Sequence, residues 1–300
     1  MKVVLIAGPT ASGKSSAAIS VAQRHDGVIV NADSMQVYRE LDVLTSRPSR
    51  ADEQLVEHRL YGYLAGAERC SVARWLEDAG REIKDIVSAG KTPVVVGGTG
   101  LYFKVLEFGL APVPEISQKT RADLRAQLAE QGAAVMHEML LEQDRPAAEK
   151  LEVNDSQRVL RALEVVQSTG KPLAYFHQKA VQSSVLAGMD VKKLVLMPAR
   201  ELLYERINKR FDEMISEGAL DEVKRLRALG LPDDLPVMKA IGMRSLGGYL
   251  DGEYDLDEAI RIAKQETRNY AKRQMTWLRN QMADWQRFEK GDDLPLGDEF

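Results

Sequence analysis

Apolar residues in the first third of the chain come in short continuous runs, which differ from the spaced pattern of an amphipathic helix. "KVVLIA", "GVIVNAD" and "TPVVVGG", beginning at Lys2, Gly27 and Thr92, are such runs. Each is rich in branched residues and ends in Gly, Thr or Asp, which predicts strands buried on both faces. Between them, "KSSAAISVAQRH" and "SVARWLEDAGREIKDIVSAG" repeat apolar positions at helical spacing. This alternation, running to about residue 110, predicts βαβ units and a parallel sheet. Ligands of such sheets bind beyond the carboxyl ends of the strands, so the three ends are expected to converge on one crevice.

At "GLAPVPEISQ" two close prolines break the pattern. From there to about residue 185 the periodicity is helical, best seen in "NDSQRVLRALEVVQSTGK". In this stretch Asn154 or Asp155 serves as N-cap, Val159, Leu160, Leu163 and Val166 form the stripe, and Gly170 follows the last turn. "KKLVLMPA" reads as a strand again. The remainder, including "RELLYERINKRFDEMISEG" and "LDEAIRIAKQETRNYAKRQMTWLRNQMADW", is helical.

"GPTASGKSS", residues 8 to 16, lies between the first strand and its helix and fits G-x-x-x-x-G-K-[ST]. Backbone N–H groups of such a loop, the helix N-terminus and the Lys14 ammonium point at one anion, and Ser15 would ligate Mg²⁺ where a metal is present. The expected fold is therefore α/β: a P-loop NTPase-like parallel sheet core over 1–112 and 190–300, with an all-helical domain inserted over 113–189.

Composition narrows the setting. The chain has 300 residues, of which 44% are hydrophobic and 29% charged, as in ordinary globular proteins. Cys70 is the single cysteine and the histidines are scattered, so neither an internal disulfide nor a zinc site is expected, and a reducing, cytoplasmic setting is. The apolar run before Gly8 is too short for a signal peptide, and no stretch is long enough for a membrane span. A net charge of -4 argues against nucleic-acid binding unless basic residues are concentrated locally.

They are concentrated. On a helical wheel Arg261, Lys264, Arg268, Lys272 and Arg279 fall within roughly 80 degrees of arc, with Tyr270 and Trp277 opposite. That stripe reads as a phosphate-backbone contact, with Arg158 and Arg161 adding a second on the insertion. Asp33, at the end of the second strand, is a candidate general base or metal partner, or else an Asx-turn residue. Glycines 97, 98 and 100 around Thr99 read as bringing the backbone close to a ligand. No apolar run ends in the acidic pair of a Walker B motif, which disfavours an ordinary ATPase. A kinase holding ATP and an RNA-binding protein that senses a nucleotide stay open on these residues alone.

Taken together and in order, "GPTASGKSS", "NADSMQVYRELDV", "VVVGGTGLYF", "NDSQRVLRALEV", "RINKRF", "KAIGMR" and "TRNYAKRQMTWLR" closely resemble the tRNA dimethylallyltransferases, over residues 3 to about 285. The resemblance implies transfer of a dimethylallyl group from dimethylallyl diphosphate to the N6 amine of the adenosine 3′ of the anticodon, with release of diphosphate. It implies a diphosphate site at Gly8, Thr10, Ala11, Ser12, Gly13, Lys14 and Ser15, reached also by Arg210, with Mg²⁺ on Ser15. Asp33 becomes the base, and Thr99 hydrogen-bonds near the reacting groups. It implies tRNA contacts at Asp33, Ser34, Met35, Gln36, Thr99, Arg121, Gln157, Arg158, Arg161, Lys239, Gly242, Arg244, Lys272, Arg273 and Arg279, with insertion and core clamping the anticodon stem-loop. A monomeric bacterial-type enzyme of the cytoplasm is expected. The chain departs from the common pattern in "GKS" for "GKT", in Met243 where Tyr is common, and around His58, which reads as structural.

Overall fold

The computed structural model describes residues 1–178 and 184–294. Among these described residues six parallel strands form one sheet in the order β3-β2-β4-β1-β5-β6. They are β1 (Lys2–Ala7), β2 (Gly27–Asn31), β3 (His58–Arg59), β4 (Thr92–Gly97), β5 (Asp190–Leu196) and β6 (Gln286–Phe288). The central strands β1, β2 and β4 are almost wholly buried, which is why their sequences are continuous apolar runs. β3 and β6 carry no such run. They are short edge pieces, placed by the ladder of the strand beside them, and the hydropathy pattern does not predict them.

Val4, Ile6, Ile29, Val94, Val96 and Leu194 of the sheet pack with Ala18 and Val21 of the helix Lys14–Arg24. The helix Val72–Ser88 is capped by Ser71 and buries Trp75, whose indole N–H donates to Asn31 O at 3.0 Å. The chain re-enters the sheet at β5 and continues into the helices Arg200–Ser216, Ala219–Ala228, Met243–Leu250 and Leu256–Gln281.

The chain divides into two compact units, Met1–Glu107 with Val185–Phe300, and Phe108–Ser184. The division falls slightly earlier on both sides than the expected boundaries 112/113, at the prolines, and 189/190, at the returning strand. Among the described residues the second unit contains helices and no strand. Leu124, Met136, Leu140, Val159 and Leu163 form a core of its own. Its helix Ser156–Thr169 starts at the Asp155 cap and stops at Gly170, whose φ of 66° is the left-handed conformation that glycine adopts without strain.

Candidate active site

The phosphate loop follows from where β1 ends. Gly8 N–H bonds Gly97 O at 3.3 Å, tying the loop to the end of β4. Ala11 (φ 61°) and Gly13 (φ 91°) are both left-handed, which turns the chain sharply before the helix Lys14–Arg24 begins. No side chain caps that helix, so its first amides remain open to an anion. The Ser12 hydroxyl is buried with no partner among the described residues. Lys14 Nζ rests on Pro9 O at 3.3 Å, and burial pushes its pKa down to about 8, against the pull of Asp33 and with the help of Arg210.

Cations of the helix Arg200–Ser216 complete this rim. Arg206 donates to Ser12 O at 3.4 Å, and Arg210 donates to Thr10 Oγ1. Ala11 to Ser15, Arg206, Lys209, Arg210 and Glu213 line a shallow depression of about 420 Å³. Arg206 and Lys209 belong to the "RINKRF" segment, of which Arg210 alone was expected at the diphosphate. Their spacing from Arg210 on one helix was the available signal.

The end of β2 presents Asp33. Its N–H donates to Asn31 Oδ1 at 2.8 Å, and its Oδ1 accepts from the N–H groups of Met35 (2.9 Å) and Gln36 (3.4 Å). The Asx-turn reading is thus realised on one carboxylate oxygen. Among the described residues Oδ2 accepts no hydrogen bond, and Asp33 lines a cavity beside the loop. Thr99 Oγ1 accepts from Ser34 N–H at 3.0 Å and donates to Ser34 Oγ at 3.4 Å, so Thr99 braces the wall residue Ser34.

Glycines 97, 98 and 100 require a correction. A Cβ at Gly97 would sit 2.1 Å from Ala32 O, at Gly98 2.3 Å from Gln274 Nε2, and at Gly100 2.1 Å from the Trp277 ring. These glycines admit the protein's own chain, where a ligand was expected.

The cavity encloses about 290 Å³. Its apolar wall is Leu44, Ile207, Phe211, Met214 and Ile241, and its polar rim includes Thr10, Asp33, Arg210, Thr267 and Lys239. Tyr270 and Arg273 close one side, with the guanidinium 5.7 Å from the ring centre. Burial, reinforced by the charge of Asp33, pushes the Tyr270 phenol far up. Thr10, Asp33, Ser34, Met35, Arg210, Lys239 and Arg273 therefore line one cavity. Ile207, Phe211, Met214 and Tyr270 were missed because their helical spacing is that of ordinary core, and Leu44 and Ile241 because they stand in turns outside any periodic pattern.

Other expected contacts lie outside the cavity. Gln36 donates to Thr45 O (2.8 Å) and Ser46 O (3.0 Å), holding the loop beyond it. Gly242 (φ 97°) starts the helix Met243–Leu250, and Met243 is buried and not available for stacking. Arg244 faces Glu266, whose pKa burial raises and Arg244 draws back. His58 bonds Val56 O at 2.9 Å and meets the Tyr61 ring edge-on, consistent with a structural part. In the second unit Arg121 and Arg161 both pair with Glu164, and Arg158 with Asp155, while Gln157 stands in the same helix.

The basic stripe is less free than its spacing suggested. Arg261 pairs with Glu258 and Lys264 with Asp212, each at 2.6 Å. Arg268 donates to Asn208 and Gln265. Lys272 and Arg279 remain exposed. The wheel missed Asp212 and Asn208 because they stand on a neighbouring helix.

The family pattern described as IPP transferase matches residues 36–281, and that described as isopentenyl transferase matches residues 1–65. This chain belongs to the IPP transferase family. Among its relatives, the tRNA dimethylallyltransferase of Azorhizobium caulinodans is 49% identical over 284 residues, covering 95% of this chain and 91% of that one. That of Rhizobium meliloti is 45% identical over 292 residues, covering 97% and 96%. The solved structure of the full-length tRNA isopentenylpyrophosphate transferase from Bacillus halodurans superposes with a TM-score of 0.69 at 35% identity, covering 96% of this chain and 89% of its own. A eukaryotic dimethylallyltransferase acting on tRNA superposes with a TM-score of 0.80 at 29% identity, covering 98% and 74%. Membership in the IPP transferase family answers the kinase reading left open by the loop alone. Among the described residues no helix is long and apolar enough to cross a membrane.

Proposed function

We propose that this IPP transferase transfers the dimethylallyl group of dimethylallyl diphosphate to the N6 amine of the adenosine 3′ of the anticodon in tRNA, releasing diphosphate. One observation carries the reading: Arg210 lines both the cationic depression of the phosphate loop and the apolar cavity edged by Asp33. A diphosphate on the loop would project its five-carbon group into that cavity, toward the carboxylate.

The chemistry then follows from the residues. The amine attacks the allylic carbon, the carbon–oxygen bond breaks, and its electron pair leaves with diphosphate. Lys14, Arg206, Arg210 and the open amides of the loop stabilise the charge that develops on the leaving group. Asp33 Oδ2 takes the proton released from nitrogen. The apolar wall keeps water from the allylic carbon.

Magnesium fits the donor set, because the exposed Ser15 hydroxyl and diphosphate oxygens are hard ligands of the kind it prefers. Held at Ser15, Mg²⁺ would supply further neutralisation of the leaving group. Lys239 and Arg273 at the cavity mouth, with Gly242, Arg244, Lys272 and Arg279, are the proposed tRNA contacts of this unit. Arg121, Gln157, Arg158 and Arg161 are those of the helical unit. The target adenine must leave its stack to enter the cavity. A monomer working in the cytoplasm completes the proposal.

The test is direct. Unmodified tRNA, labelled dimethylallyl diphosphate and Mg²⁺ are incubated with the protein, and label is sought in RNA. Label in RNA without ATP supports the proposal; ATP-dependent phosphorylation of a metabolite with no label in RNA overturns it.

A further inference from the structure

Gln274 lies one turn beyond Tyr270 on the helix Leu256–Gln281 and is 6% exposed. Its side-chain amide makes two hydrogen bonds, both to backbone groups far away in sequence. Oε1 accepts from Thr10 N–H at 2.9 Å, and Nε2 donates to Gly98 O at 2.9 Å. Thr10 belongs to the phosphate loop and Gly98 to the turn after β4. One amide therefore clasps two strand ends to the helix that borders the cavity.

The fit is exacting. A Cβ at Gly98 would come within 2.3 Å of Nε2, so the turn carries glycine to admit the amide. A backbone N–H demands an acceptor and a backbone carbonyl demands a donor, so only an amide of this length serves both. Asparagine is a methylene too short. Glutamate keeps the bond to Thr10 but sets oxygen against Gly98 O. Methionine fills the space and makes neither bond.

Thr10 is thus held twice, by Gln274 at its N–H and by Arg210 at its hydroxyl. The helix that holds it also presents Thr267, Tyr270 and Arg273 to the cavity and carries the exposed Lys272 and Arg279. We propose that Gln274 is a positioning residue that locks the phosphate loop to this helix, so that RNA bound along the helix tightens the diphosphate site. The inference rests on the proposed function, in that it takes RNA and diphosphate as the two ligands. Linkage then requires the converse, that diphosphate tightens RNA binding by the same factor.

Inorganic diphosphate is the probe, because it cannot react. Its affinity is measured by calorimetry with Mg²⁺, alone and with saturating unmodified anticodon stem-loop RNA, for the wild type, Gln274→Met and Gln274→Glu. Wild type is expected to gain roughly ten-fold in diphosphate affinity from RNA. In Gln274→Met that gain should fall to about one, and kcat by roughly 30-fold or more, while affinity for RNA alone stays within about two-fold. Gln274→Glu, which keeps the Thr10 bond, should retain part of the gain and secures the test if the methionine variant does not fold. A wild type with no gain, or a folded variant that keeps the full gain and its kcat, overturns the inference. So does a variant whose only change is a lower melting temperature. Failure of the wild type to bind diphosphate at all would sink the proposed function instead, which keeps the two claims separable.

Discussion

Arg210 donates to the Thr10 hydroxyl across 200 residues of sequence, so the phosphate loop is closed by a side chain from the Arg200–Ser216 helix. Burial pushes the pKa of this guanidinium down, with Asp33 and Glu213 drawing it back, and it remains charged. Lysine cannot reproduce the planar fork that reaches Thr10 and a phosphate oxygen together. Losing a charged hydrogen bond costs about 1.5–3 kcal/mol. Arg210→Lys should accordingly lower kcat/KM for dimethylallyl diphosphate by roughly 10- to 100-fold, with tRNA affinity within a few fold in a filter-binding assay.

Lys14 makes donor binding a proton-linked event. With its pKa near 8, the free protein sheds this proton well before an ordinary lysine at 10.5 does. A bound diphosphate favours the charged form, so binding should take up a proton above about pH 8, and affinity should weaken as pH rises further. The diphosphate ester completes its own ionisation below that range, near pH 6. Calorimetry with dimethylallyl diphosphate in two buffers of different ionisation enthalpy, without RNA, should give uptake approaching one proton near pH 9. Lys14→Met should abolish it. The folding linkage has its own sign: burial penalises the charged form, so this group's contribution to stability rises between about pH 8 and 10.5.

Asp33 serves a turn and a reaction with different oxygens, and substitution can separate them. Asn keeps an acceptor for Met35 and Gln36 N–H but cannot take a proton, whereas Ala removes both roles. Asp33→Asn should retain the wild-type melting temperature and tRNA affinity while transfer falls by roughly 10²-fold or more. A melting temperature unchanged also in Asp33→Ala would show that the turn adds little.

The divide between what sequence revealed and what it did not follows the length scale of each signal. The loop, the β1, β2 and β4 runs, the N-cap at Asn154 or Asp155, which the structure assigns to Asp155, and the Gly170 cap are local, and each is written in consecutive residues. Partners brought together by tertiary packing are not. Gln274 reads as one more polar residue of a long helix until Thr10 and Gly98 are seen beside it. Gly98 and Gly100 look like ligand-facing glycines until Gln274 and Trp277 are seen filling the space. Two of the five cations of the stripe lose their freedom to Glu258 and Asp212, and Asp212 stands on another helix.

Glu222 is another long-range tie of this kind. It is 2% exposed, and its carboxylate accepts from the N–H groups of Asp42 and Val43 at 2.8 Å and of Leu44 at 3.0 Å. Leu44 is part of the cavity wall, so the Ala219–Ala228 helix helps to shape the cavity through this contact. Glu222→Ala would strand buried donors, each costing about 1–3 kcal/mol. The urea midpoint should drop sharply, and less in Glu222→Gln, which keeps one acceptor oxygen.

The cationic helix offers the sharpest contrast between charge that is free and charge that is spent. Lys272 and Arg279 are exposed, whereas Arg261 is held by two hydrogen bonds to Glu258 and Lys264 by Asp212. A cation already paired releases little counterion when RNA approaches, because its partner must be desolvated or displaced first. Lys272→Ala and Arg279→Ala should each weaken tRNA binding at low salt and flatten the plot of log K against log salt by roughly one unit or slightly less. Arg261→Ala should leave that slope nearly unchanged. Equal effects at all three positions would mean that the Glu258 pairing yields to RNA, and no effect at Lys272 or Arg279 would make the stripe a solvated face.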